Sequence, residues 1–79
     1  MKTYETRDMG FGAYLVCVGY RRLPSVLKNN IVYFVFEDPD SSINKEYDAY
    51  KIGDASVVAI RFNEILKTLK KDVIDLKNF

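Results

Sequence analysis

Histidine is absent from the 79 residues, and cysteine occurs once, as Cys17. The first absence removes the commonest general base and the commonest metal ligand, and with a lone cysteine it argues against a zinc site. One cysteine also excludes an intramolecular disulfide. Set in an apolar run, Cys17 reads as a small buried hydrophobe, and a reducing, cytosolic setting follows. An excess of one charge is missing too: 12 Lys and Arg stand against 11 Asp and Glu. Bulk charge therefore gives no reason to expect nonspecific attraction to nucleic acid or membranes, and any such role needs a local patch. No apolar run approaches the roughly 20 residues of a membrane helix, and the start lacks a charged-then-apolar signal pattern. No repeat, linker or low-complexity tract divides the chain. The expectation is one soluble domain over residues 1–79, cytoplasmic, without membrane, metal or cofactor. Such a chain buries only about 60 % of its unfolded surface, near the lower limit for folding without staples.

What is present is organised around residues 26–38, VLKNNIVYFVFED. Asn29 and Asn30 tolerate the left-handed conformation that a two-residue type I′ turn demands, and they lie between two β-prone runs. That turn predicts a hairpin with Lys28 opposite Ile31, Leu27 opposite Val32, Val26 opposite Tyr33, Ser25 opposite Phe34, Pro24 opposite Val35 and Leu23 opposite Phe36. One face then collects Leu23, Leu27, Val32, Phe34 and Phe36 as core. The other collects Arg22, Pro24, Val26, Lys28, Ile31, Tyr33 and Val35, a mixed surface. A slip of one residue would exchange the faces.

Before the hairpin, KTYETR reads as a first strand. Asp8 is placed to cap a helix over MGFGAYLVCV, apolar nearly all round, that Gly19 is suited to close. Gly10 and Gly12 each lower helix propensity by about 1 kcal/mol relative to alanine, which predicts close packing of this helix. The same pair invites comparison with a phosphate loop, but Leu15 stands where the third glycine belongs and the Lys-Ser/Thr pair is missing. Pro24 confines the first hairpin arm to an edge. A right-handed strand–helix–strand crossover makes its two strands parallel, so the first strand lies beside the third, on its free side. The expected fold is therefore α+β, ordered β-α-β-β-α-α, with a three-stranded antiparallel sheet of order 1-3-2 and helices packed on it.

Glu37-Asp38-Pro39-Asp40 breaks the last strand. Ser41 or Ser42 is the expected cap of a second helix over 43–52, with Ile43, Tyr47 and Tyr50 on one face, stopped by Gly53. A third helix, capped by Ser56, follows the stripe Val58, Phe62, Ile65, Leu66, Leu69, Val73 and Leu76. Residues 77–79 are expected to fray.

Three constellations offer themselves for recognition. Thr6-Arg7-Asp8, at a strand-to-helix junction, can meet an anion through the Arg7 fork and the helix dipole; the simpler reading has Asp8 capping the helix and Arg7 paired with Glu37 or Asp38. Tyr33, between Ile31 and Val35 and near Arg21 and Arg22, is similar to the base-stacking strand of RNA-recognition modules. Asn29-Asn30 replaces the basic residue and glycine of that motif, however, and the fold lacks its fourth strand. Lys67, Lys70 and Lys71, backed by Arg61, can meet phosphates or an acidic partner, although Glu64, Asp72 and Asp75 make a solvated face the simpler account. The acids Asp38 and Asp40 lie in a loop expected to be exposed, and Ser41 and Ser42 have no base to activate them, so no enzymatic activity is expected.

Thr6-Arg7-Asp8, the apolar helix ending at Gly19, Phe34-Val35-Phe36-Glu37-Asp38 and the closing segment Ala59, Phe62, Leu66, Leu69, Lys70 together resemble a family of short uncharacterised domains carried by bacteria, phages and prophages. The resemblance covers nearly the whole chain and implies a compact α+β domain in a mobile-element setting. It supplies no activity and no site. The expected function is non-catalytic: binding of a host protein or of a second copy, with counter-defence as the setting. The alternative is a binder of nucleic acid or a small nucleotide using Arg7, Arg21, Arg22, Tyr33, Lys67, Lys70 and Lys71.

Overall fold

The computed structural model describes residues 2–51 and 59–77. The elements are β1 (Thr3–Thr6), α1 (Met9–Cys17), β2 (Arg22–Lys28), β3 (Ile31–Glu37), α2 (Ile43–Lys51) and α3 (Ala59–Lys77). The strands form one antiparallel sheet of order β1-β3-β2, as the crossover rule and the edge-confined Pro24 require. The expected stop at Gly53, the cap at Ser56 and the positions of Ile52 and Val58 lie outside the described residues.

Asn29 and Asn30 turn the hairpin at φ 49° and 64°, and Lys28, Leu27 and Val26 face Ile31, Val32 and Tyr33 as the turn predicts. Beyond Val26 the register departs from expectation. A bulge places Leu23, not Pro24, opposite Val35, and Arg22, not Leu23, opposite Phe36. Pro24 has no N–H to give a ladder, and the Arg22 Nη2 bond to Ser25 Oγ at 2.8 Å spans the extra residue. One added residue inverts everything upstream. Leu23 leaves the core face, and Arg22 is carried beneath the helices, where it bonds Asp72 of α3 at 2.5 Å and lies 5.6 Å from the Phe34 ring centre.

The core is built from Phe11, Ala13, Tyr14 and Leu15 of α1, Val32, Phe34 and Phe36 of β3, Ile43 of α2 and Leu69 of α3. Burying each of the three phenylalanines contributes about 1.5–3 kcal/mol before the entropy of ordering is subtracted. The predicted stripe of α3 packs inward through Phe62, Ile65, Leu66, Val73 and Leu76. Cys17, expected to be buried, is half-buried, because the helix turns its end out of the core.

Asp8 caps α1 as expected, its Oδ1 accepting the Phe11 N–H at 3.1 Å. At the other end Gly19 takes φ 104°, so the Tyr20 N–H reaches Leu15 O at 3.0 Å and the Gly19 N–H reaches Val16 O at 3.1 Å. That is the Schellman arrangement, which a left-handed residue makes available. A Cβ on Gly10 would stand 2.6 Å from the Tyr50 hydroxyl, whereas one on Gly12 would meet Leu69 and Phe34 at ordinary contact distances of 3.4 and 3.5 Å. A methyl group at Gly10 therefore requires the Tyr50 hydroxyl, the far end of its side chain, to shift, whereas Gly12 has room for one.

The second helix is capped differently from expectation. Asp38 is buried, at 6 % exposure, and its Oδ1 accepts the Ser42 and Ile43 N–H groups at 2.9 and 3.3 Å. Ser42 contributes its carbonyl to the first turn, while its hydroxyl pairs with the Tyr20 hydroxyl at 2.7 Å. The loop expected to expose Asp38 instead folds it inward, with Ser41 at φ 54°.

Candidate functional site

All three helices pack on one side of the sheet, through Val32, Phe34 and Phe36; Leu23, Val26, Ile31, Tyr33 and Val35 take no part in that core. On this helix-free face Glu5 and Leu23 flank Val35 on the neighbouring strands, and Val35 is only 8 % exposed. Charged pairs frame the apolar centre. Lys28 Nζ bonds Glu5 Oε1 at 2.7 Å, and Arg21 lies 3.7 Å from Glu37. The Lys28 ammonium also sits 5.4 Å from the Tyr33 ring centre, an attraction between cation and ring face.

A second feature lies where the hairpin end of the sheet meets the start of α1 and the end of α3. An open cleft of about 300 Å³ is walled by Met9, Ile31, Val32, Phe34 and Val73 and carries Arg7 and Lys77. Arg7 does not pair with Glu37 or Asp38: Glu37 is held by Arg21, and Asp38 caps α2. Among the described residues neither Arg7 nor Lys77 has a carboxylate within ion-pair distance.

Between α1 and α2 lies an aromatic cluster. Phe11 stacks edge-on against Tyr47 with ring centres 4.9 Å apart and lies 5.4 Å from Tyr50. Tyr14 donates to Glu46 at 2.8 Å, and that bond, with burial, pushes its phenol up to about 12. Burial raises Tyr4 and Tyr50 as well, Tyr50 with added repulsion from Asp8. These phenols are held neutral and act as packing and hydrogen-bonding groups.

The residues singled out for recognition do not converge. Arg21 is tied to Glu37 and Arg22 to Asp72; Arg22, expected on the mixed face, is on the opposite one because of the bulge. Tyr33 stays on the helix-free face, but Lys28 lies against its ring. Lys67, Lys70 and Lys71 are exposed on α3, away from the stripe that packs inward. Arg22 lines an open depression with Pro24, Ser25 and its partner Asp72, and Arg7 lines the cleft described above together with Lys77, a residue that the sequence places in a fraying end.

Neither a family model, nor a curated protein, nor a solved structure matches the chain. The motifs that suggested a family nevertheless have structural roles: Asp8 and Asp38, which close them, cap α1 and α2. Among the described residues no three metal-ligating side chains gather, and no helix is long and apolar enough to cross a membrane.

Proposed function

We propose that this chain is a small non-catalytic binding protein of the phage or prophage kind, acting in the cytoplasm of a bacterial host through the helix-free face of its sheet. The observation that carries the reading is the make-up of that face: Leu23, Val26, Ile31, Tyr33 and Val35 at the centre, and Glu5–Lys28 and Arg21–Glu37 around it. An apolar centre inside a polar rim is the anatomy of a protein interface. The rim pairs two cations with two carboxylates, so the face has no net charge to offer a polyphosphate. It suits a two-fold contact instead, in which each copy presents the same self-complementary patch. A second copy is therefore the first partner, and a host protein with a matching apolar face, in a counter-defence role, is the next.

Sedimentation equilibrium across a wide concentration range tests this. A mass that rises toward twice the monomer, and stays at the monomer for folded Tyr33→Glu, supports the dimer; a wild-type monomer throughout overturns it. A host protein retained from bacterial lysate after nuclease treatment by wild type but not by Tyr33→Glu would place the same face in a heteromeric contact.

The nucleic-acid alternative has less support. Of its proposed contacts, Arg22 is turned beneath the helices and bonded to Asp72, and Arg21 lies beside Glu37, so the cations expected around Tyr33 do not gather there. An affinity for single-stranded nucleic acid that falls steeply with salt, and falls further on Lys67/Lys70/Lys71→Ala, would restore it.

A further inference from the structure

We propose that the cleft bearing Arg7 and Lys77 is a binding site for a small amphiphilic anion, an apolar body ending in a carboxylate or phosphate. The site shares Ile31 with the helix-free face, but its charged groups and its other walls are not part of that face, so the two readings are tested separately.

The argument rests on two matched features of one cavity. Its walls are apolar, from Met9 at the start of α1, Val32 and Phe34 of β3 and Val73 of α3, and its charged groups are Arg7 and Lys77, with no acid among the lining residues. Among the described residues the ion pairs within 4.0 Å are those of Arg21, Arg22 and Lys28, so most lysines and arginines stand without one; what sets Arg7 and Lys77 apart is their place together on the rim of an apolar depression. Both belong to the lining of the same cleft, which includes no carboxylate, and a ligand carboxylate or phosphate there would accept hydrogen bonds from a guanidinium fork and an ammonium.

The apolar walls define the remainder of the ligand. A cavity of about 300 Å³ is at the small end of ligand pockets and accommodates about ten water-sized groups. That admits a medium-length alkyl chain or one aromatic ring. A bare inorganic anion would leave the walls formed by Val32, Phe34 and Val73 unused, and a neutral apolar molecule would leave the cations unanswered. The pairing of the two is what defines the ligand class.

Octanoate is a suitable probe, with octyl phosphate as the phosphate-headed counterpart. Titration followed by amide NMR shifts should saturate, with a Kd on the order of a millimolar or tighter, and the largest changes should fall at Met9, Val32, Phe34 and Val73. Arg7→Gln with Lys77→Gln, both exposed and therefore expected to fold, should weaken octanoate by about tenfold while leaving octanol unchanged. Inorganic phosphate alone should produce no saturable shift at these positions. Comparing octanoate with octyl phosphate identifies the preferred head group. A linear, unsaturated octanoate response, shifts centred elsewhere, or equal affinity in the doubly substituted protein would each overturn the assignment. Because Tyr33→Glu leaves the cleft intact, retention of octanoate binding in that variant separates this site from the proposed protein-binding face.

Discussion

Asp38 gives the sharpest test of how this fold is held, because one oxygen performs two tasks. Its Oδ1 accepts both the Ser42 and the Ile43 N–H at the start of α2, in a residue 6 % exposed. Asp38→Ala leaves both donors without a partner in a place where water has little access. Loss of an N-terminal cap costs about 0.5–2 kcal/mol, and burial puts this site at the upper end, about 2 kcal/mol. Asp38→Asn keeps a carbonyl oxygen able to accept both bonds and loses only the interaction of the negative charge with the helix dipole, about 0.3–1 kcal/mol. For a domain of this size each kcal/mol moves the midpoint of thermal unfolding by about 4–8 °C. Circular dichroism melts of the three proteins should therefore rank wild type, Asn and Ala in that order, with Ala at least about 8 °C below wild type. If Ala falls within a degree or two of wild type, the capping account is wrong. If Asn is as damaging as Ala, charge matters more than geometry and the argument from a shared oxygen fails.

Other expectations follow from single contacts. Gly12→Ala should stabilise by up to about 1 kcal/mol, the helix-propensity gain, since its methyl group has ordinary contacts; Gly10→Ala must displace the Tyr50 hydroxyl and should gain less or lose stability in the same urea titration. Because the Tyr14 phenol is pushed up to about 12 from 10.0, its bond to Glu46 contributes fully below pH 10 and is lost as pH rises toward 12. The alkaline unfolding limb should accordingly flatten in Tyr14→Phe, and absorbance titration should lose its highest-pH tyrosine. Arg22→Ala removes the bonds to Ser25 and Asp72 and should destabilise by about 1–3 kcal/mol; Asp72→Asn, which keeps an acceptor, should cost less.

The sheet order and the hairpin turn were legible because they rest on local rules: two left-handed-tolerant asparagines, a proline on an edge strand and the handedness of a crossover. The bulge was not. Pro24 announces an edge, but the extra residue is absorbed through an Arg22–Ser25 bond and an Asp72 located 50 positions along the chain from Arg22. Asp8 reads as a cap because it immediately precedes its helix. Asp38 acts across an intervening turn, so the nearer serines looked the better caps. Glu37 and Asp38, the acids expected to pair with Arg7, are committed by the fold to Arg21 and to α2. The cleft beside Arg7 joins α1, β3 and α3 and has no trace in any one segment. A lysine in the last turn of a helix carries no signal of a site until that turn is packed against a strand.

The bulge in β2 has a further consequence for the behaviour of the protein in concentrated solution. A three-stranded sheet leaves two open edges, each a template on which another chain can add a strand. On the β2 side, Pro24 removes one donor and the irregular step between Leu23 and Val26 interrupts the row of groups that an incoming strand would pair with. The β1 side, only four residues long and carrying Glu5, is brief and charged. Both edges thus carry features that resist open-ended strand addition and fibre growth.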